Sequence, residues 1–305
     1  SKVLNTKKYN NIDYNEKFII PDNLIINKYK DELRWVEETD FSSILLGKIK
    51  GLEKTMTTDD ILNNKGRIAT GGIHLAKSNF IKEGNFLQLD VASYYPNLMI
   101  NNNYYSRGIL DSSYFKDVVD RRINYKKLSS DKSLSKEERT KYKKLSDALK
   151  IVINSGYGAM GAHFNNLYDP FMRLSVCLSG ELYLIDLLEK LEPYSTIIQV
   201  NTDGILVEVH DEESILKESE KWTERTNFVL EFTNYKKVIQ KDVNNYILID
   251  EKNNIKTKGS HVINWEGDSD LLKKASATII DKAVVNYFIN NIPVQKTVME
   301  ETDIL

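Results

Sequence analysis

A chain of 305 residues, 41% apolar and 28% charged, has material for one large domain or two to three smaller ones. A net charge of −2 excludes a uniformly basic nucleic-acid binder while leaving room for local basic patches. The single cysteine, Cys177, excludes an internal disulfide framework and a cysteine-only zinc site and fits a reducing compartment.

No apolar run approaches the ~18 residues of a membrane span. The N-terminal Ser1-Lys2-Val3-Leu4-Asn5 has neither a signal-peptide core nor an initiator Met, as in a processed chain or a fragment. Residues 1–60 are rich in Asn, Lys and Tyr and read as a lead-in segment packed on the body, with a turn at Pro21-Asp22-Asn23. Asp40-Phe41-Ser42-Ser43 and Thr57-Thr58-Asp59-Asp60 are each placed to cap a short helix. Thr70-Gly71-Gly72-Ile73-His74 reads as a turn, where a Gly pair allows a sharp bend or close approach to a ligand. Gly84-Asn85 breaks the chain, and residues 86–91 follow as a buried strand ending at Asp90. Pro96 closes the next turn, and a short helix begins near Asn97.

From Ser112 to Tyr157 the pattern is helical. Tyr114, Phe115, Val118, Val119 and Ile123 recur at i, i+3 and i+4. Ser135-Lys136-Glu137-Glu138 is a capping box that opens a second helix through Tyr142, Leu145, Leu149 and Ile153, so the segment reads as an antiparallel helical hairpin. Between Lys116 and Lys150 stand 12 Lys/Arg and 6 Asp/Glu, a local basic surplus that favours phosphate contact. Gly-rich backbone ends this helix at residues 154–161. Residues 171–191 form an apolar core helix, with Cys177 an inert buried thiol. Residues 197–207 read as a strand hairpin presenting Asp203 at its tip, with Gly204 in the turn. A helix over 215–225 follows, then strands at 228–232, 235–239, 245–249 and 255–258, the last two paired across a turn at 251–254. Residues 234–262 hold six Lys against three Asp/Glu, a second modest basic patch, and a final helix spans 271–290. Segregated strands and helices predict an α+β fold, a mainly antiparallel sheet packed on helices with a helical hairpin inserted. The βα alternation of a dinucleotide-binding fold and any phosphate-binding G-x-x-x-x-G-K-[ST] loop are missing.

Asp90 and Asp203 each follow an apolar strand and precede a different tight turn, which sets them apart from ordinary turn aspartates. Brought together, they suit two Mg²⁺ ions, which favour one or two carboxylates with phosphate oxygens and water. Arg122 and Lys126 share one helix face, as do Lys150 and Asn154, with Tyr157 nearly one turn further on. Two such rows facing one cleft suit a triphosphate, and Tyr157 suits stacking on a base or sugar.

Three of these stretches resemble motifs of family B DNA polymerases, in that family's order. Asp90-Val91-Ala92-Ser93-Tyr94-Tyr95-Pro96 resembles D-x-x-S-L-Y-P. Lys150-x-x-x-Asn154-Ser155-Gly156-Tyr157-Gly158 is similar to K-x-x-x-N-S-x-Y-G, and Asn201-Thr202-Asp203 to D-T-D. The likeness runs from about residue 70 to 265, and the wording around Ser93-Tyr94-Tyr95-Pro96-Asn97-Leu98-Met99 is most like phage-encoded members. The resemblance implies a DNA-directed DNA polymerase, a nucleotidyltransferase with a palm sheet and a fingers hairpin. It implies residues 1–60 as lead-in, 61–112 as first palm part, 113–158 as fingers, 159–265 as second palm part with primer-side strands, and 266–305 as a truncated thumb or tail. Asp90 and Asp203 would be catalytic, binding two Mg²⁺ ions, with Val91 at the metal site and Mn²⁺ able to substitute. The backbones of Val91, Ser93 and Tyr94 would cradle the triphosphate. Tyr95 would pack under the sugar as a steric gate against a 2′-hydroxyl. Arg122, Lys126 and Lys150 would bind β/γ phosphates, and Asn154 and Tyr157 would line the nucleotide pocket. Gly71-Gly72, Thr202, Tyr246 and Lys258 would contact the nucleic acid.

Asn201 stands where the family has the first Asp of D-T-D, and Asn244 where it has the Lys of K-x-Y. No exonuclease carboxylate set precedes Asp90, so the chain reads as a minimal palm-and-fingers core or a piece of a longer polymerase. The implied partners are primer-template DNA, dNTPs and further polymerase domains or replication proteins on another chain, in the cytoplasm of a phage-infected bacterium and away from membranes. Two other readings share these features: an RNA-synthesising or reverse-transcribing palm enzyme, which Tyr95 disfavours, and a non-catalytic nucleic-acid-binding subunit, which Asn201 allows.

Overall fold

The computed structural model describes residues 5–61, 66–262 and 278–301. In chain order the elements are α1 (Lys30–Glu38), α2 (Ser42–Leu45), β1 (Glu53–Met56), β2 (Gly66–Ala69), β3 (His74–Ala76), β4 (Phe80–Val91), α3 (Tyr94–Asn101), α4 (Ser113–Ser130), α5 (Lys136–Ala159), α6 (Pro170–Leu191), β5 (Ser195–Asn201), β6 (Gly204–Val209), α7 (Glu212–Thr226), β7 (Leu230–Asp242), β8 (Asn245–Asp250), β9 (Ile255–Lys258), α8 (Thr278–Asn290) and α9 (Val294–Glu300). Among the described residues the strands form one antiparallel sheet ordered β1-β2-β3-β5-β6-β4-β7-β8-β9. Strands far apart in sequence thus become neighbours at its centre, where β6 pairs with both β5 and β4.

Alternation along β4 sorts the two faces. Leu87, Leu89 and Val91 join the large core that also holds α6, α7 and the inward residues of β5 and β6. Phe86 faces the other way, into a smaller cluster with Ile198, Leu206, Tyr235, Val238 and Leu248. Gln88 and Asp90 follow Phe86 at period two, so they project from this second face. The helix α6 is apolar nearly all round because it is buried nearly all round, and Asp169 caps it with Pro170 at its first position.

Helices α4 and α5 lie antiparallel: Phe115 packs at Gly156 near one end, and Tyr125 stacks on Tyr142 toward the other, ring centroids 5.8 Å apart. The capping box at Ser135 is formed in both directions, with the Glu138 N–H donating to Ser135 Oγ at 3.2 Å and the Ser135 N–H donating to Glu138 Oε2 at 3.0 Å.

Several sequence expectations need correction. Gly84-Asn85 does not break the chain; β4 runs through it, and the pairing with β7 shifts register between Glu83 and Phe86, so the two residues are absorbed in a bulge-like irregularity. Segments 228–232 and 235–239 are not two strands but parts of one, β7, because the whole of β4 offers it partners. The short helix expected after residues 57–60 falls on residues 62–65, which lie outside the described residues; before it, Thr58 Oγ1 accepts the Ile61 N–H at 3.1 Å. The helix placed at Asn97 starts at Tyr94, with Pro96 inside its first turn. Of the helix expected over 271–290, residues 271–277 lie outside the described residues. The α9 helix and the short strands β1, β2 and β3 were not expected; too short for a clear period, they are held by pairing and packing. Among the described residues no helix is long and apolar enough to cross a membrane.

Candidate active site

The β5–β6 turn is two residues long, Thr202 and Asp203, and Thr202 takes a left-handed φ of 41°. Such a turn is costly for a β-branched residue and needs outside support. The Thr202 N–H donates to the Ile73 carbonyl at 3.0 Å, and its hydroxyl lies 3.3 Å from His74 Nε2. On the other side, the Val91 N–H donates to the Asp203 carbonyl at 2.8 Å. Asp90 sits opposite Gly204 in the β4–β6 register, so the two aspartates meet at adjoining strand ends. A Cβ on Gly204 would lie 2.1 Å from Asp90 Oδ1; the carboxylate occupies space that only glycine leaves free.

Asp90 is half-buried and Asp203 opens into the cleft. Desolvation raises the pKa of both. For Asp203 the Asp90 charge is the second cause; for Asp90, Lys256 and the Gln88 amide act in the opposite direction. The Gln88 amide donates to Asp90 Oδ1 at 2.7 Å. Asn201 also lines the cleft, its amide donating to the Val243 carbonyl at 3.4 Å and its Oδ1 accepting from the Thr202 hydroxyl at 3.2 Å.

Around the aspartates opens a cleft of about 770 Å³. Its walls include Val91, Ser93, Tyr94, Tyr95, Arg122, Lys126, Lys150, Asn154, Tyr157, Thr202, Tyr246 and Lys258 with both aspartates, so one cavity gathers most of the site residues read from the sequence. Arg122 donates to Ser93 Oγ, while its Nε is buried with no hydrogen-bond partner. Lys126 donates to Glu231, bridging α4 and β7. Tyr95 and Tyr157 meet edge to face, centroids 4.8 Å apart. Burial lowers the Lys258 pKa, against the pull of Asp203.

Three residues sit differently from the rest. The Tyr94 ring is buried, its hydroxyl donating to the Gly180 carbonyl at 2.5 Å, so only its backbone faces the cleft wall. Gly71 lies in a separate cleft of about 650 Å³ that also holds Lys50 and Arg173. Gly72 is buried between Thr202 and Glu181, whose Oε1 accepts its N–H at 3.0 Å.

Sequence reading missed Gln88, Gln199, Glu231 and Lys256 in the main cleft. Period two pointed to Gln88 from Asp90 and to Lys256 from Lys258. Glu231 had no such signal; it is brought beside Asp90 by the β4–β7 register. Cys177, read as an inert buried thiol, is buried, and burial pushes its pKa up to about 11; it stands behind the main cleft, its Sγ 2.7 Å from the Tyr157 hydroxyl. No cluster of three or more His, Cys, Asp and Glu poised for a metal occurs among the described residues.

Over 81% of its length the chain matches the structure of the family B DNA polymerase from the hyperthermophilic archaeon Pyrobaculum calidifontis, with a TM-score of 0.51 and 16% identity, and it covers 34% of that chain. At that identity the likeness establishes a common fold. In sequence, 84 residues are 37% identical to DNA polymerase 1 of Aeropyrum pernix, over 27% of this chain and 9% of that protein. No family model matches the chain. The chain therefore spans well under two thirds of either relative.

Proposed function

We propose that this chain is the palm-and-fingers core of a phage-type family B DNA polymerase, adding dNTPs to a primer 3′ end on a DNA template. The observation that carries the proposal is the convergence of Asp90, Asp203, Arg122, Lys126 and Lys150 on one cleft, drawn from β4, the β5–β6 turn and two helices.

The donors present fit Mg²⁺. Two desolvated carboxylates that repel each other are what a dication relieves, and hard oxygen donors are what it prefers. Asp90 and Asp203 would hold two ions, with Val91 at the same site and Mn²⁺ as a substitute. When bound, the ions lower the pKa of the attacking hydroxyl and neutralise charge on the leaving oxygen.

The remaining work falls to the chain. Arg122, Lys126 and Lys150 bind the triphosphate, and the unpartnered Arg122 Nε is a donor awaiting an anionic oxygen. The first-turn amides of α3, at Ser93 to Tyr95, lack intrahelical partners and add to the phosphate cradle. Tyr95 stands under the sugar, and Asn154 and Tyr157 complete the pocket. Lys256, Lys258 and Tyr246 line the side on which β8 and β9 would meet the primer strand; Gly71, Gly72 and Thr202 would meet the template.

Primer extension by the 305-residue chain with dNTPs and Mg²⁺ tests this. Extension is expected from the wild type and none from Asp203→Asn. Wild-type extension rates in that variant overturn the site. Salt-sensitive DNA binding with no incorporation under Mg²⁺ or Mn²⁺ identifies a non-catalytic subunit instead.

A further inference from the structure

Tyr95 and Tyr157 meet in the cleft, and Tyr157 has a support behind it. Along the mostly apolar α6, Arg173, Cys177 and Glu181 follow one another at i, i+4 and i+8 on one side of the helix. The Arg173 guanidinium lies 5.6 Å from the Tyr157 ring centroid. The Tyr157 hydroxyl is 2.7 Å from Cys177 Sγ. Cys177 itself is 2% exposed. Packing alone would be met here by alanine or valine. A thiol adds one S–H donor and a weak acceptor, enough to hold the Tyr157 hydroxyl.

We propose that Cys177 is a specificity-setting positioning residue, whose thiol holds the hydroxyl end of Tyr157 and, through the Tyr157 ring, braces Tyr95 where the nucleotide sugar is read. The inference rests on the reading of Tyr95 as a gate against the 2′-hydroxyl. A steric gate discriminates only as far as its ring refuses to yield. Tyr95 is braced by the Tyr157 ring, and Tyr157 is held in turn at its hydroxyl by the thiol. Without the thiol the pair keeps its edge-to-face contact but loses the anchor behind Tyr157, and the Tyr95 ring can tilt to admit one more oxygen.

The test is single-nucleotide primer extension with a dNTP and the matching rNTP, using the full chain as wild type, Tyr95→Ala, Cys177→Val, Cys177→Ala and Cys177→Ser, with a melting temperature for each. Tyr95→Ala is expected to lose most of the discrimination. Cys177→Val and Cys177→Ala are expected to lower the dNTP-over-rNTP ratio of kcat/KM by roughly fivefold, the worth of one lost buried hydrogen bond. The change is expected in the rNTP KM more than in the dNTP kcat, and Cys177→Ser is expected to restore the wild-type ratio. An unchanged ratio in whichever of the valine and alanine variants folds, beside a Tyr95→Ala variant that has lost its gate, overturns the role of Cys177 alone. Equal loss in the serine and alanine variants does the same. An unchanged ratio in Tyr95→Ala overturns the gate itself and this inference with it.

Discussion

At the scale of single residues, the site depends on space as much as on charge. Gly204 faces Asp90 Oδ1, with the Gln88 amide and the Leu89 carbonyl also within 2.8 Å of where a Cβ would be. Gly204→Ala is expected to displace the Asp90 carboxylate, cut primer extension at least about tenfold and cost about 1–3 kcal/mol by overpacking. Steady-state extension and urea denaturation check both parts. Glu181 carries a pH prediction. It is 1% exposed, Oε1 accepts the Gly72 N–H, and Oε2 has no hydrogen-bond partner. Burial holds its pKa well above the ordinary carboxylate range, only partly offset by backbone N–H groups at Gly72 and Ala69. The folded state therefore keeps a proton that the unfolded chain gives up near pH ~4. Its contribution to stability is full below that pH and is lost as pH rises toward the raised value. Glu181→Gln is expected to keep the acceptor for Gly72 and to flatten the fall of melting temperature between about pH 5 and 9. A parallel fall in both proteins speaks against a protonated Glu181.

At the scale of elements, periodicity and caps were the legible part. The α4–α5 hairpin follows from its apolar spacing and the capping box at Ser135, and both are local signals. The Gly84-Asn85 break was a local signal that lost, because β4 pairs with β7 both before and after it and the ladder tolerates an irregularity there. Tethers between elements were invisible in the sequence. Arg107 donates from Nε and Nη2 to the buried Asp169 at 2.8 Å each and from Nη1 to Glu16 at 2.8 Å, and it stacks 4.5 Å from the Tyr9 ring centroid. Since Asp169 also caps α6, one arginine ties the N-terminal segment to the helix behind the cleft. Arg107→Ala is expected to strand a buried carboxylate and cost about 3 kcal/mol, measured by urea denaturation. Faster proteolysis within residues 5–20 should accompany it.

At the scale of the whole molecule, the proposed binding of DNA by a chain of net charge −2 would fall to local cationic patches. Binding to primer-template DNA, followed by anisotropy between about 50 and 200 mM salt, is expected to weaken steeply, with a slope of about −0.9 per neutralised phosphate. Lys256→Ala combined with Lys258→Ala, both on the cleft side of β9, should make that slope shallower by about one to two. An unchanged slope removes β9 from the DNA path.

The sequence by itself determined which side chains were available for chemistry and which local element carried each: two aspartates after apolar strands, cationic rows at helical spacing, and a glycine in the turn at Asp203. These are short-range properties, set by periodicity, turn chemistry and steric allowance. The tertiary structure alone decided that Asp90 and Asp203, 113 positions apart, end on neighbouring strands. It alone set Glu231 beside Asp90, gave the Asn201 amide the Val243 carbonyl as partner, and placed a core cysteine against the Tyr157 hydroxyl. Those relations depend on strand order and register, and register is chosen by burial of whole faces rather than by residues close in sequence.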